Sequence, residues 1–319
     1  MPDFQFRLMV TSDTDSALAY NLERRLMSVQ NIFPFRVHDE SLTLPDDDRP
    51  TTPAGTLEKM ALDLARTRYH RETPVLITSR DIDDGSFSSF DDTVAVISVK
   101  HWSDSEFSPW PVQRFLLYTI ADVLMNIYVD TPVHYTPQNC VGDRCENEKD
   151  INDCLAICDY CAPCRRIIST AVQKGRISPR ESAAIYRILD AAAERRRLFV
   201  LMPFARPFNG IYKTVKDVSS RCGWFCSRAD DIRHTRDIID VIWEEIERCE
   251  CVVADLTGLN PNVFYELGYA HALGKNTILL TQNLDTLPFD LKHRIVIKYR
   301  PNPSGREALA EALASHFDT

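Results

Sequence analysis

The stretch CVVADLTGLNPNVFYELGYAHALGK, residues 251–275, decides the fold of the C-terminal third of the chain. It opens on an apolar run that closes at Asp255, the pattern of a strand buried on both faces. The turn that follows is polar and carries Gly258 and Pro261. From about Asn262 the apolar residues Val263, Leu267, Ala270 and Leu273 recur at helical spacing. A strand passing at once into a helix is half of a βαβ unit, and it leaves the Asp255 carboxylate at the carboxyl edge of a parallel sheet.

The same alternation extends outward. Upstream lie the strand LFVLMPF, a helix over 210–221, the strand and loop GWFCSRADD, and an amphipathic helix over 237–250. Downstream come the strands NTILLTQ and HRIVIKY and a last helix, REALAEALASHF. Strand and helix in turn predict an α/β domain with a doubly wound parallel sheet over residues 197–319. Residues 1–196 read as a separate α+β domain. It holds a strand at FRLMV (6–10), a helix over Ala17–Val29, a Pro- and Asp-rich loop (SLTLPDDDRPTTPAG) and a helix at Leu57–Tyr69. A strand at Pro74–Thr78, a Gly/Ser/Asp turn (DIDDGSFSSFDD), the strand TVAVISV and a helix over Val112–Ile127 follow. A Cys-rich segment at 140–164 then leads into one or two helices reaching Arg197, with Ser178 as N-cap and Pro179 at the first helical position.

The bulk properties narrow the function. Hydrophobic content of 44% with 26% charged residues suits two packed cores. The net charge of −9 argues against nucleic acid, since every neutralised phosphate needs a cation. The basic runs Arg165-Arg166 and Arg195-Arg196-Arg197 are expected at helix ends, where they complement the dipole. No apolar run reaches membrane-spanning length, and the opening MPDFQFRLMVTSDTDS lacks the pattern of a secretory signal. A cytoplasmic protein with no membrane partner is expected. Ten cysteines in that compartment then point to metal or reactivity rather than disulfides.

Glu266 is the candidate reactive group. It sits early in the helix after Asp255, on a face apart from the packing stripe, so the two carboxylates are expected to meet in one crevice. An acid or nucleophile beside an orienting carboxylate suits glycosidic-bond cleavage. A Glu near a helix N-terminus also serves simply to complement the dipole. Asp230 and Asp231, after the second strand, are placed either to bind ribose hydroxyls or to cap the next helix.

The order LFVLMPF, RADD, IIDVIWEEIERCECVVADLTG, NPNVFYELGYAHALGKNTILL resembles the nucleoside 2-deoxyribosyltransferase-like superfamily over roughly residues 197–300. That group includes deoxynucleoside-monophosphate N-hydrolases and shares a flavodoxin-like fold with TIR-like NADases. The resemblance implies that Glu266, the Glu of the ELG triplet, attacks the anomeric carbon of the sugar. It assigns Asp255 and Asp240 as supporting carboxylates and Met202, Pro203 and Phe204 as a nucleotide-lining loop. Asn260 stands where the transferases usually have an Asp, and Asn262, Val263 and Phe264 replace small residues of the phosphate-cradling turn. Both departures fall on positions that the resemblance assigns to substrate binding.

The segment NCVGDRCENEKDINDCLAICDYCAPCRR places cysteines at 140, 145, 154, 158, 161 and 164. Two tight pairs supply the four soft ligands of a structural zinc: Cys140 with Cys145, and either Cys158 with Cys161 or Cys161 with Cys164. With the preceding strand and helix, this segment resembles archaemetzincin-type zinc proteases. The catalytic H-E-x-x-H of that family is missing from LLYTIADVLMNIYVDTPVHY, where His134 lies beyond the helix and Asp122 replaces the general base poorly. A retained structural zinc without a protease site is therefore expected.

Two functional readings result. In one, the C-terminal domain cleaves or transfers the N-glycosidic bond of a nucleoside, nucleotide or NAD-like substrate, as hydrolase or transferase, with no organic cofactor. In the other it senses a nucleotide without chemistry, coupled to a zinc-stabilised domain that binds a protein partner or a second copy. A bacterial origin is suggested only by the family resemblance.

Overall fold

The computed structural model describes residues 5–43, 51–52, 54–68, 72–82, 87–91, 93–103, 107–129, 133–145, 147–231, 238–291 and 293–317. The chain divides between Glu194 and Arg195 into two units. Each is a mixed α/β assembly around a five-stranded sheet.

The N-terminal unit runs β1 (Gln5–Val10), α1 (Ala17–Val29), β2 (Phe35–Val37), β3 (Thr51–Thr52), α2 (Ala54–Arg68), β4 (Glu72–Thr78), β5 (Asp81–Ile82), β6 (Ser88–Asp91) and β7 (Val94–Ser98). The helices α3 (Val112–Tyr128), α4 (Glu148–Ile157), α5 (Ala162–Gln173) and α6 (Pro179–Ala192) complete it. The sheet order is β2-β1-β4-β7-β6, parallel except for β6. β4 and β7 bury nearly every residue, as parallel strands covered on both faces must. The apolar helix α3 packs into the core beside α6. The turn expected at 81–92 instead contains β5 and β6. The antiparallel edge strand Ser88–Asp91 is too polar to announce itself by alternation. Ser178 caps α6 in a reciprocal capping box with Glu181, as its spacing predicts.

The C-terminal unit runs β8 (Arg196–Leu201), α7 (Asn209–Arg221), β9 (Trp224–Arg228), α8 (Ile238–Arg248), β10 (Cys251–Asp255), α9 (Pro261–Ala272), β11 (Asn276–Thr281), β12 (Val296–Lys298) and α10 (Pro303–Phe317). All its strands are parallel, in the order β12-β11-β10-β8-β9. Numbered within the unit this is 2-1-3-4-5 read from β9, the flavodoxin-like doubly wound order. Residues of α7 and α10 share one core layer. Residues of α8 and α9 share the other. The run Arg195–Arg197 does not end a helix, because α6 stops at Ala192 and β8 begins at Arg196. Arg196 instead stacks over Trp224 at 4.0 Å and Arg197 over Phe225 at 4.6 Å. Arg165 and Arg166 lie in the first turns of α5 rather than its last. Among the described residues no helix is long and apolar enough to cross a membrane.

Candidate functional site

In the C-terminal unit, β8 is flanked by β9 and β10, and the following helices leave to opposite faces of the sheet. This is the topological switch point, whose carboxyl edge is where open α/β sheets hold ligands. Three segments meet that edge: the loop after β8, the end of β9 and the β10–α9 turn.

The loop after β8 divides its residues between core and surface. Met202 continues the alternation of Leu198 and Val200 and is buried among the side chains of α7 and α10. It is a packing residue and not the nucleotide-lining group the resemblance implied. Pro203 is half-buried and Phe204 is exposed, so Phe204 is the member of the trio that faces solvent.

At the end of β9 the two acids are taken by neighbouring groups. Arg228 donates to both oxygens of Asp230, at 2.5 and 2.6 Å. Asp231 accepts from the Tyr212 hydroxyl and from Lys216 at 2.8 Å. Burial works against ionisation of Asp231, but the Lys216 and Tyr212 hydrogen bonds prevail and hold its carboxyl below the usual range.

Asp255 is wholly buried at the end of β10. One oxygen accepts from the Tyr299 hydroxyl at 2.6 Å and the other from the Thr257 amide at 3.0 Å. Burial raises its carboxyl and these hydrogen bonds partly offset the rise. The expected open crevice shared with Glu266 is not what Asp255 occupies: its bonds point into the sheet end, because an acid finishing a central strand is covered by both neighbours. The turn that leaves it uses Gly258 at φ 78° and Leu259 at φ 54°, a left-handed pair that needs glycine at its first position. Asn260 is the N-cap of α9, its side chain accepting from the Asn262 amide at 2.9 Å, and Pro261 fills the first helical position. Asn260 is thus spent on capping, while Asn262 is exposed. Asp240 lies on α8, and its side chain is outside the described residues.

Glu266 is different. It is half-buried in the second turn of α9, and burial alone raises its carboxyl to about 7. It forms no hydrogen bond or ion pair with the described residues. A carboxyl this desolvated without a partner is the kind of group that active sites assemble.

The N-terminal unit gathers a second constellation. His134, Cys140, Cys161 and Cys164 place one ligand atom each within 4.8 Å of one another. His134 Nε2 lies 3.0 Å from Cys164 Sγ and 3.4 Å from Cys161 Sγ. Cys140 Sγ accepts from the amides of Gly142 at 3.4 Å and Cys161 at 3.2 Å. Cys161 is the N-cap of α5 and Cys164 sits in its first turn, where burial pushes the Cys164 thiol well above the usual range. Tetrahedral zinc bonds of about 2.3 Å to sulfur and about 2.0 Å to nitrogen set ligand atoms roughly 3.5–3.8 Å apart, so the two His134 contacts would open by about half an ångström or less. The three thiols and one imidazole therefore fit a structural zinc.

The ligand set differs from the sequence expectation. Cys158 ends α4 in a left-handed conformation (φ 45°), its thiol donating to the Leu155 carbonyl at 3.0 Å. Cys145 lies 3.7 Å from Cys154, sulfur to sulfur. Neither belongs to the cluster. His134 takes the fourth place because a short bridge pairs it with Asp143 and folds the 134–144 loop back on itself. The spacing H-x5-C before Cys140 was the available signal.

A cavity of about 190 Å3 lies along α3, lined by Tyr118, Thr119, Asp122 and Asn126 among others, with no histidine in its lining. Burial raises the Asp122 carboxyl to about 7, against a stabilising hydrogen bond from Asn126 at 3.1 Å.

No family model matches the chain, and no curated protein matches it. Among solved structures, archaemetzincin from Methanopyrus kandleri is similar at 14% identity and a TM-score of 0.38, covering 53% of this chain and 96% of its own. The C-terminal domain of glucosamine-fructose-6-phosphate aminotransferase from Francisella tularensis is similar at 10% identity and a TM-score of 0.25, covering 99% of this chain and 84% of its own. These likenesses are weak, and the functional reading rests on the residues.

Proposed function

We propose that the C-terminal unit acts on a nucleoside, nucleotide or NAD-like ligand at the carboxyl edge of its sheet, with Glu266 attacking the anomeric carbon of the N-glycosidic bond. The observation that carries this reading is the unpartnered, half-buried Glu266 carboxyl on the helix that follows the switch-point strand β10. Attack by the ionised carboxylate would expel the nucleobase and leave a glycosyl ester, which water or a second base then resolves. Asp255 and Tyr299 act in this reading as positioning residues, fixing the turn from which α9 starts. The deoxyribosyltransferase-like and TIR-like resemblance supports it.

A mixed pool of nucleosides, deoxynucleoside monophosphates and NAD, incubated with the full chain and resolved by chromatography, tests the proposal. Released base or nicotinamide that disappears in Glu266→Gln supports it; release unchanged in that variant overturns it.

The second reading, nucleotide binding without turnover, is favoured by Asn260 and Asp255 being committed to structure. Saturable binding with no product in the same experiment would select it. In both readings His134, Cys140, Cys161 and Cys164 hold zinc as a structural brace, whose chemistry is confined to tying the 134–144 loop to α5.

A further inference from the structure

Arg228, the last residue of β9, is 5% exposed. Its Nε and Nη2 are paired with Asp230, and Nη2 also approaches Asn209 Oδ1 at 3.4 Å. The guanidinium lies 4.3 Å from the Tyr212 ring centre and 5.6 Å from that of Phe204. On the edge away from Asp230, Nη1 is buried and has no acceptor among the described residues. A charged N–H without a protein acceptor is costly to bury, and folded proteins answer such a group with an ordered water, an ion or a ligand.

Its surroundings are those of an anion site. Asn209 and Tyr212 belong to the first turn of α7, and a single 3-10 turn, Arg206–Phe208, leads into it. Neither Ala205 nor Phe208, the residues at the two N-cap positions, caps these amides with a side chain. Uncapped amides and the positive end of the dipole favour a bound anion. A second guanidinium flanks the start of α7: a Cβ on Gly210 would meet Arg306 Nη1 at 3.4 Å. Arg306 donates to the Pro301 carbonyl at 3.0 Å and has no carboxylate partner among the described residues.

We propose that Arg228, Arg306 and the start of α7 form a binding site for a phosphate or pyrophosphate group, with exposed Phe204 as the movable cover over the Arg228 fork. The site lies at the end of β9 and the start of α7, not at the first turn of α9 that holds Asn262, Val263 and Phe264. It builds on the proposed nucleotide site at this sheet edge, with Phe204 as the solvent-facing residue of the loop after β8, and adds that the ligand is phosphorylated. Bidentate recognition by guanidinium suits phosphate oxygens, and the Nη1 side of the fork has no acceptor among the described residues until Phe204 moves aside.

Calorimetric titration of the full chain with inorganic pyrophosphate, at low salt, tests this. Binding is expected in the wild type and at least tenfold weaker in Arg228→Gln. Asn209→Asp, at an exposed position whose side-chain oxygen already accepts from Arg228, sets a negative charge beside the fork and should weaken binding comparably without lowering the melting temperature. That variant decides the matter if Arg228→Gln does not fold. Absence of pyrophosphate binding in the wild type, or equal binding in a folded Arg228→Gln or in Asn209→Asp, overturns the site. Base release without pyrophosphate binding would sink this inference and leave the Glu266 reading standing. Pyrophosphate binding without base release would do the reverse.

Discussion

The Tyr299 hydroxyl donates to the Asp255 carboxylate across 2.6 Å, joining the residue after β12 to the last residue of β10 over the intervening strand β11. The same hydroxyl meets Gln282 at 3.1 Å and Thr257 at 3.3 Å. One phenol thus closes the carboxyl edge of three strands. Tyr299→Phe should cost about 1–3 kcal/mol, the usual penalty for stripping a partner from a buried polar group. The loss should be larger at pH 8 than at pH 4, because the hydrogen bond favours the ionised form of Asp255. Urea denaturation at both pH values measures it, and an equal loss at the two would contradict the assignment.

Glu266 titrates near 7 in the folded chain against an ordinary value of 4.5. Its folded value is raised, so its ionisation opposes folding, and that penalty grows as pH rises from about 4.5 and is complete above about 7. Glu266→Gln should therefore stabilise the protein at pH 8, on the order of 2 kcal/mol, and change little at pH 4. Thermal melts of the two proteins across this range give the answer. If the carboxylate is the nucleophile, turnover should rise with pH through 7 in the wild type; a rate that falls through 7 would assign Glu266 as a general acid instead.

The metal centre makes a ligand-specific prediction. Elemental analysis should find about one zinc per chain, lost in His134→Ala and Cys164→Ser and kept in Cys145→Ser and Cys158→Ser. Burial pushes the Cys140 thiol up to about 11, so zinc must displace a proton there and its affinity should fall as the solution is acidified. Retention of zinc in His134→Ala would return the fourth place to another cysteine.

Asn260 separates a cap from a contact. Asn260→Ala should cost about 1 kcal/mol in stability, whereas Asn260→Asp keeps an oxygen for the Asn262 amide and should hold wild-type stability. Chemical denaturation reads both; a stable Asn260→Ala would remove the capping role.

Particular elements show what could be read in advance. α1 follows from Leu22 and Leu26 at helical spacing and occupies Ala17–Val29 as expected. β10 and α9 follow from an apolar run, Gly258 and Pro261. β2 was missed, because Phe35–Val37 is too short to show a period. In the site, Glu266 was visible as an acid off the packing stripe, but Tyr299, 44 residues from its partner, carried no local signal. Arg228 was hidden in the same way, since an arginine ending an apolar strand looks like any other surface cation.

Period and punctuation along the chain determined the strand–helix alternation of the C-terminal unit and the crowding of soft ligands at 140–164, because backbone geometry and turn chemistry are local. Only the tertiary structure decided that His134 joins the thiols while Cys145 and Cys158 do not, that Met202 and Asp255 turn into the core, and that one edge of Arg228 is left without an acceptor. Those outcomes depend on which distant side chains share a volume from which water is excluded, and no spacing in one dimension fixes that.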